Sequence, residues 1–453
     1  MECKGGPGAP RVRGGWVSSR GQVPRLPVLP LHTLALEMPL RLLALALLAL
    51  GCCCGGGHAS PPPPWSPASA PLTTPWTADV TPTAARPEHP RPMLTRGESS
   101  WQSLNGLWEV DYERGPGALD APPPRATLPH QILVPFPLES ALGGLRAQAP
   151  NFTTIYRRVF PKGAVLPRCG AGMRRLLHFE KVDWNSTVWV NGERVCSHVG
   201  GYDPFSCPLP EADAALEIAV GVVDYTELNP RHWQPRGKQV RSAFTVPSGM
   251  MYTGSSGIWD SVWAECVPRS GFVAAVNAQS TGAPNASVVF EVELGGTNAA
   301  ETKVCIEVFD GNRSLGSPSC VTPALRQASS PATATAIIAM PDDAKLWSPD
   351  HPFLYNATVT LHAGGSVDAE GAALDVAHTY FGHRTVSTGM VDGVPRVLLN
   401  GKPYYLIGPL DQGWFPDGLY TAATDAALRS DLLAMKKMGM NSVSPTACDE
   451  SSR

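Results

Sequence analysis

No charge of one sign dominates this 453-residue chain: 36 lysines and arginines stand against 39 aspartates and glutamates, a formal net charge of −3. That balance removes the electrostatic basis for a nucleic-acid partner. Long hydrophobic runs are missing too. The nine-residue stretch Leu42–Leu50 falls well short of the roughly 20 residues a helix needs to cross a bilayer, so no stable membrane span is expected. The eleven histidines show no HExxH or similar spacing, and the cysteine spacings are not those of a zinc site. No metal or cofactor is expected. Between Leu94 and Arg269 no helix-length amphipathic stretch of any strength occurs. Glycine and proline are abundant instead, 44 and 46 residues, concentrated in the first 130 positions and in short turns afterwards.

The stretch "MPLRLLALALLALGCCCGGGHAS" has Arg41, the apolar run and then small residues, the layout of a secretory signal with cleavage after Ala59. Met38 is a second candidate start. Removal of residues 1–59 takes away Cys3, Cys52, Cys53 and Cys54 and leaves seven cysteines. Six of them, without Cys448, allow 15 pairings, among which Cys196 with Cys207 and Cys305 with Cys320 are close enough for local bridges. Sequons at Asn151, Asn185, Asn285, Asn312 and Asn356 are candidate N-glycosylation sites. The location expected is the secretory pathway, with an extracellular or vacuolar or lysosomal destination.

Residues 60–93 are too rich in proline and too poor in periodic apolar residues to bury a core, so they read as an extended linker. Residues 94–269 hold short β signals between turns: "GLWEVDYE", "TIYRRVF", "RLLHFEKV" and "SVWAECV". In "TVWVNGERV" the Asn191-Gly192 pair suits a type I′ hairpin. Many short strands with Gly/Pro turns predict a jelly roll. Over residues 270–381 the alternation is cleaner: Val288, Phe290, Val292 and Leu294 share one face of a strand, while Val289, Glu291 and Glu293 share the other. A small immunoglobulin-like sandwich is expected there.

After Phe381 the pattern changes. A strand-like "RVLLNGKPYYLIGPL" leads through the loop "DQGWFPDGLYTAA" to a helix in which Leu428, Leu432 and Met435 form one apolar face. Thr424 can cap this helix, Asp425 and Lys436 with Lys437 suit its two ends, and Gly439 can close it. "MNSV" reads as the start of another strand. Strand, loop, helix, strand is the βαβ unit of a parallel sheet, and one such unit cannot cover its own apolar faces. Residues 382–443 therefore read as the beginning of an α/β barrel, and 444–453, "SPTACDESSR", as an atypical tail without strand alternation.

Taken in order, "SLNGLWEVDYE", "TTIYRRVFPKG", "LLHFEKVDWNSTVWVNGERVCSHVGGYDPFSCPL", "NPRHWQPRGKQV", "GIWDSVWAECV", "LWSPDHPFLY", "FGHRTV" and "LLNGKPYYLIG" make the chain resemble the amino-terminal portion of glycoside hydrolase family 2, the family of β-galactosidases, β-glucuronidases and β-mannosidases. The resemblance runs from about Trp101 to Val443. It implies a mainly β protein: a galactose-binding-like jelly roll, an immunoglobulin-like sandwich, and then the first part of a (β/α)8 barrel. It also implies hydrolysis of O-linked β-glycosides with retention, by two glutamates on later barrel strands. Those strands would lie past Arg453, so no catalytic residue is assigned here, and the stretch given is expected to be inactive by itself. The partner implied is a β-linked glycoside or oligosaccharide. A non-catalytic carbohydrate- or partner-binding protein built from the two sandwiches is the alternative.

Some positions depart from the family pattern. Where β-glucuronidase-type relatives read Pro-Phe-x-x-Asp, this chain has Pro208, and proline offers no side-chain acceptor. Gly408-Pro409-Leu410-Asp411 replaces Gly-Val-Asn, so a glucuronide is not supported. The loop after the first barrel strand holds Asp411, Gln412, Trp414, Asp417 and Tyr420, aromatic rings to stack on sugar C–H faces and polar groups to bond hydroxyls. These five are the candidate substrate-binding residues. Trp184 and Trp189 suit core or strand-pair positions, and Arg236 and Lys238 suit ties between loops.

Overall fold

The computed structural model describes residues 65–445, apart from the segments 114–118, 124–125, 163, 165–166, 211–214, 227–233, 247–249, 283–285, 326–330 and 365–372. The leader, Asn285 and Cys448 lie outside the described residues. The fold is mainly β, as expected.

The first sandwich is built from β1 (Trp101–Ser103), β2 (Gly106–Asp111), β3 (His130–Val134), β4 (Thr153–Phe160), β5 (Met173–Phe179), β6 (Val182–Asp183), β7 (Asn185–Val190), β8 (Glu193–Val199), β9 (Phe205–Leu209), β10 (Leu216–Val223), β11 (Gly257–Ile258) and β12 (Val262–Pro268). One sheet runs β3-β2-β4-β10-β7-β8 and the facing sheet β1-β12-β5-β9. Alternating residues point inward, so Trp108, Val110, Ile132, Tyr156, Leu177, Val188, Ile218 and Val220 fill the space between them. The β7–β8 hairpin turns on Asn191 (φ 53°) and Gly192 (φ 86°), both left-handed as a type I′ turn requires. Trp189 is buried in β7, within 3.1 Å of where a side chain on Gly221 of β10 would begin.

The second sandwich comprises β13 (Phe272–Thr281), β14 (Ser287–Gly295), β15 (Thr302–Asp310), β16 (Arg313–Ser314), β17 (Ser319–Val321), β18 (Ala324–Leu325), β19 (Ala332–Ala339), β20 (Tyr355–Ala363) and β21 (Asp375–Phe381). Its sheets are β13-β14-β19-β18 and β16-β15-β20-β21, the latter also pairing β17. Val288, Phe290, Val292 and Leu294 are buried on the inner face of β14. Disulfides join Cys196 to Cys207 and Cys305 to Cys320, and a third spans 97 residues between Cys169 and Cys266.

Beyond Phe381 a three-stranded meander forms from β22 (Val386–Val391), β23 (Val394–Leu399) and β24 (Lys402–Pro403). A two-residue strand β25 (Leu410–Asp411) then leads through the loop to α1 (Asp425–Lys437), and β26 (Ser444–Pro445) pairs parallel to β25. The Thr424 side chain accepts from the Ala427 N–H at 3.2 Å, and Gly439 adopts φ 83°. Leu428 and Leu432 on α1 are exposed. No closed barrel is present among the described residues.

Two expectations are corrected. "MNSV" is not itself a strand: the pairing begins at Ser444 and takes in the first two residues of the supposed tail. Their partners are set by backbone register, which side-chain alternation in so short a strand cannot reveal. The proline-rich segment is also more than a linker. Val80 and Ala85 are buried with Leu133, Phe136, Leu142 and Ala423, and Trp65 and Trp76 pack against that cluster. Proline pre-pays backbone entropy, so a few anchors suffice to seat an irregular segment. Gly144, at φ 92°, leaves room for the Trp65 indole where a side chain would collide at 2.5 Å.

A cleft between a sheet-end loop and the first sandwich

The loop 411–424 leaves the carboxyl end of β25, and its backbone is fixed locally. The Asp411 carboxylate accepts from the Gly413 N–H at 2.8 Å, and Phe415 and Leu419 exchange backbone hydrogen bonds of 2.8 and 2.9 Å around the Pro416-Asp417-Gly418 turn. Longer ties seat it on the first sandwich. The Thr421 hydroxyl donates to the Trp259 carbonyl, the Leu142 N–H donates to the Asp417 carbonyl at 3.0 Å, and Lys238 Nζ donates to Gln412 Oε1 at 3.2 Å.

Loop and sandwich enclose a cleft of about 340 Å³. Asp411, Gln412, Phe415 and Tyr420 supply one wall, and Tyr202, Trp259, Lys181 and Asp260 the other. The Tyr420 ring lies 5.2 Å from that of Trp259 and 6.1 Å from that of Tyr202. Lys181 Nζ stands 4.8 Å over the Trp259 ring and 3.4 Å from Asp260 Oδ2. At the edge, Arg86 pairs with Asp425 at 2.8 Å. Burial raises the Tyr202 hydroxyl far above the ordinary phenol range, with Asp183 and Tyr420 adding to the shift, so it stays a neutral donor.

Of the five loop residues proposed from sequence, Asp411, Gln412 and Tyr420 line the cleft. Trp414 turns aside to stack on Tyr252 at 4.8 Å, meeting Tyr420 edge-on at 4.5 Å. Asp417 is fully buried and faces the proline-rich segment, where its Oδ2 accepts from the hydroxyls of Thr74 (2.9 Å) and Thr77 (2.6 Å). These bonds hold the loop to that segment. Nothing in the sequence marks Tyr202 and Trp259, because they sit in irregular connections between strands, where no period singles them out. Pro208 and Asp203 are exposed, and the Arg236 guanidinium donates to the carbonyl of Gln239, three residues on. Asn151, Asn312 and Asn356 are exposed, and Asn185 is half-buried at the start of β7.

Behind the Tyr202 wall the structure buries a polar cluster. Gln239 Nε2 donates to the Tyr202 hydroxyl at 2.9 Å, while its Oε1 accepts from the Ser255 N–H at 2.7 Å. Beyond it lie the carboxyls of Asp183, Glu139 and Asp224, all nearly inaccessible. No group of acidic, histidine or cysteine side chains suited to a metal ion occurs among the described residues. No glutamate lines the cleft among the described residues.

Residues 272–384, the second sandwich, match the family model "Glycosyl hydrolases family 2". Similar curated proteins include a beta-galactosidase of Thermoanaerobacter pseudethanolicus, 24% identical over 355 residues, covering 76% of this chain and 41% of that protein. A beta-glucuronidase of Paenibacillus borealis is 23% identical over 334 residues, covering 70% and 50% respectively. Among solved structures, a Bifidobacterium dentium beta-glucuronidase complexed with coumarin-3-O-glucuronide superposes with a TM-score of 0.57 at 21% identity, over 77% of this chain and 58% of that one. The beta-glucuronidase of Ruminococcus gnavus gives 0.56 at 18% identity, over 80% and 56%. The structural likenesses establish the shared fold. The chain spans about half the length of these relatives.

Proposed function

From the premise that the chain belongs to the glycosyl hydrolase family 2 superfamily, we propose that its cleft is the sugar-binding edge of a glycosidase acting on O-linked β-glycosides. The observation that carries this reading is the aromatic trio Trp259, Tyr202 and Tyr420, set beside Asp411, Gln412 and Asp260 at the carboxyl end of a parallel strand. Rings stack on the C–H faces of a pyranose while carboxylates and amides take its hydroxyls, and α/β barrels bind substrate at that end of their strands. Retaining hydrolysis needs two carboxyl groups about 5–5.5 Å apart. In this reading both are glutamates supplied from outside residues 65–445, and this portion binds and orients the sugar.

The same aromatic and polar lining would serve a second reading, carbohydrate binding without hydrolysis. One experiment separates the two. The purified chain is presented to a glycan array and to aryl β-glycosides, and so is a longer product if the transcript continues the frame past Val443. Binding by the chain, lost in Trp259→Ala and Tyr420→Ala, with hydrolysis only by the longer product, is the expected result. Binding with no hydrolysis by any product favours the second reading, and no binding at all removes both. The signal-like leader and the three disulfides support a secretory-pathway location.

A further inference from the structure

Ser256 poses a problem of proton counting. Its Oγ lies 2.6 Å from Glu139 Oε1 and 2.6 Å from Asp224 Oδ2, yet a hydroxyl has one hydrogen to give. One of these two contacts must take its hydrogen from a carboxyl group. Asp224 is otherwise supplied with donors: its Oδ1 accepts from the Thr226 N–H at 2.9 Å and from Gln234 Nε2 at 2.6 Å, and its Oδ2 from the Thr226 hydroxyl. Glu139 has fewer, the Ser256 N–H at 2.9 Å on Oε2 and its own backbone N–H. The arrangement that satisfies every group runs from a protonated Glu139 Oε1 to Ser256 Oγ, and from the Ser256 hydroxyl to Asp224 Oδ2.

The groups facing Glu139 make this choice stronger. They are Asp224 after β10, Asp183 on β6 and the neutral Tyr156 hydroxyl on β4, and Glu139 itself is 4% exposed. No cation contacts Glu139 among the described residues. The two segments joined by the relay both reach the cleft. Glu139 sits in the turn 135–143, whose Leu142 N–H holds the Asp417 carbonyl, and Ser256 leads directly into Trp259, whose carbonyl takes the Thr421 hydroxyl.

We infer that the Glu139–Ser256–Asp224 relay is a proton-operated latch, closed when Glu139 carries its proton and opened by its loss, which loosens the two segments on which loop 411–424 is seated. The inference stands whatever the cleft binds. Burial pushes the Glu139 carboxyl up to about 7, with the Ser256 bonds opposing and the Asp224 charge adding to the rise. A carboxyl raised on folding contributes stability that is fully present below its unfolded value, about 4.3, and is lost as the pH rises through about 7. The ratio of folded to unfolded chain attributable to this group then drops on the order of a hundredfold across that window.

The test uses the whole chain at about pH 5.5 and about pH 8.5. Hydrogen exchange, corrected for its intrinsic pH dependence, is followed in peptides covering residues 134–143, 252–260 and 415–423. Protection in all three is expected to fall at the higher pH in the parent and to persist in Glu139→Gln, whose amide can donate to Ser256 but cannot ionise. Infrared difference spectra of the parent supply a readout that needs no variant: a buried carboxylic-acid carbonyl band must disappear between the two pH values. Unchanged protection in the parent, equal pH dependence in Glu139→Gln, or the absence of that band would each overturn the latch.

Discussion

Two buried charged clusters in this molecule solve the same problem in opposite ways. Between the sandwiches, Arg96 lies in a fork of acids: it meets Asp375 through two bonds of 2.9 and 2.8 Å, Glu265 at 2.9 Å and the Val273 carbonyl at 2.5 Å. His178 Nε2 closes the set, 3.1 Å from the other Glu265 oxygen. Burial pushes Glu265 up, but His178 and Arg96 outweigh it and leave its carboxyl below the ordinary range. Behind the cleft, Glu139, Asp183 and Asp224 have hydroxyls and amides as described partners and no guanidinium, and Glu139 and Asp183 are pushed upward, by burial first. Acids locked by a cation make a joint that keeps its charge. Acids stabilised only by neutral donors make one that answers to protons.

Breaking the first cluster carries the largest expected effect. Arg96→Met strands two buried carboxylates and should cost about 3–5 kcal/mol in urea unfolding. The second cluster responds with the opposite sign: at alkaline pH Glu139→Gln should stabilise the chain by about 3 kcal/mol, and the curves of variant and parent should converge below about pH 4. Acidification sharpens the contrast. Because the folded Glu265 carboxyl lies below its ordinary value, the stability it contributes is present above its unfolded value and is lost as the pH falls through the folded one. Thermal unfolding should therefore show a smaller acid-side loss, abolished in Glu265→Gln, and the parent should be most stable between the two limbs. The smallest effect belongs to the half-exposed Lys238–Gln412 tie. Lys238→Ala should change urea stability by no more than about 0.5 kcal/mol, since a charge that keeps its water has little at stake.

The strands were legible because burial on one side of a sheet imposes a period of two, visible in Val288, Phe290, Val292 and Leu294. Asn191-Gly192 was legible because few residue pairs accept two successive positive φ angles. The bridges Cys196–Cys207 and Cys305–Cys320 were readable as local possibilities, whereas Cys169–Cys266 depends on where a distant strand falls. Half of the cleft could be seen in "DQGWFPDGLY". The other wall could not: Tyr202 and Trp259 are brought opposite Tyr420 by packing between segments far apart in the chain. The relay was hidden for the same reason, since nothing local marks a lone Glu139 as a neighbour of Ser256. Composition misled in the proline-rich segment, where Val80 and Ala85 bury themselves without any periodic pattern.

The hydroxyls of Thr74 and Thr77 clasp Asp417 across separations of 343 and 340 residues, and that span is also an interval of time. During synthesis at about 5–20 residues per second, the early segment leaves the ribosome roughly 20–70 seconds before its acceptor does. Through that interval the first sandwich must fold with its aromatic anchors Trp65 and Trp76 unmet by loop 411–424. In a nascent chain, sites around residues 65–93 should therefore resist a protease only after Asp417 has emerged, so this contact dates the arrival of loop 411–424.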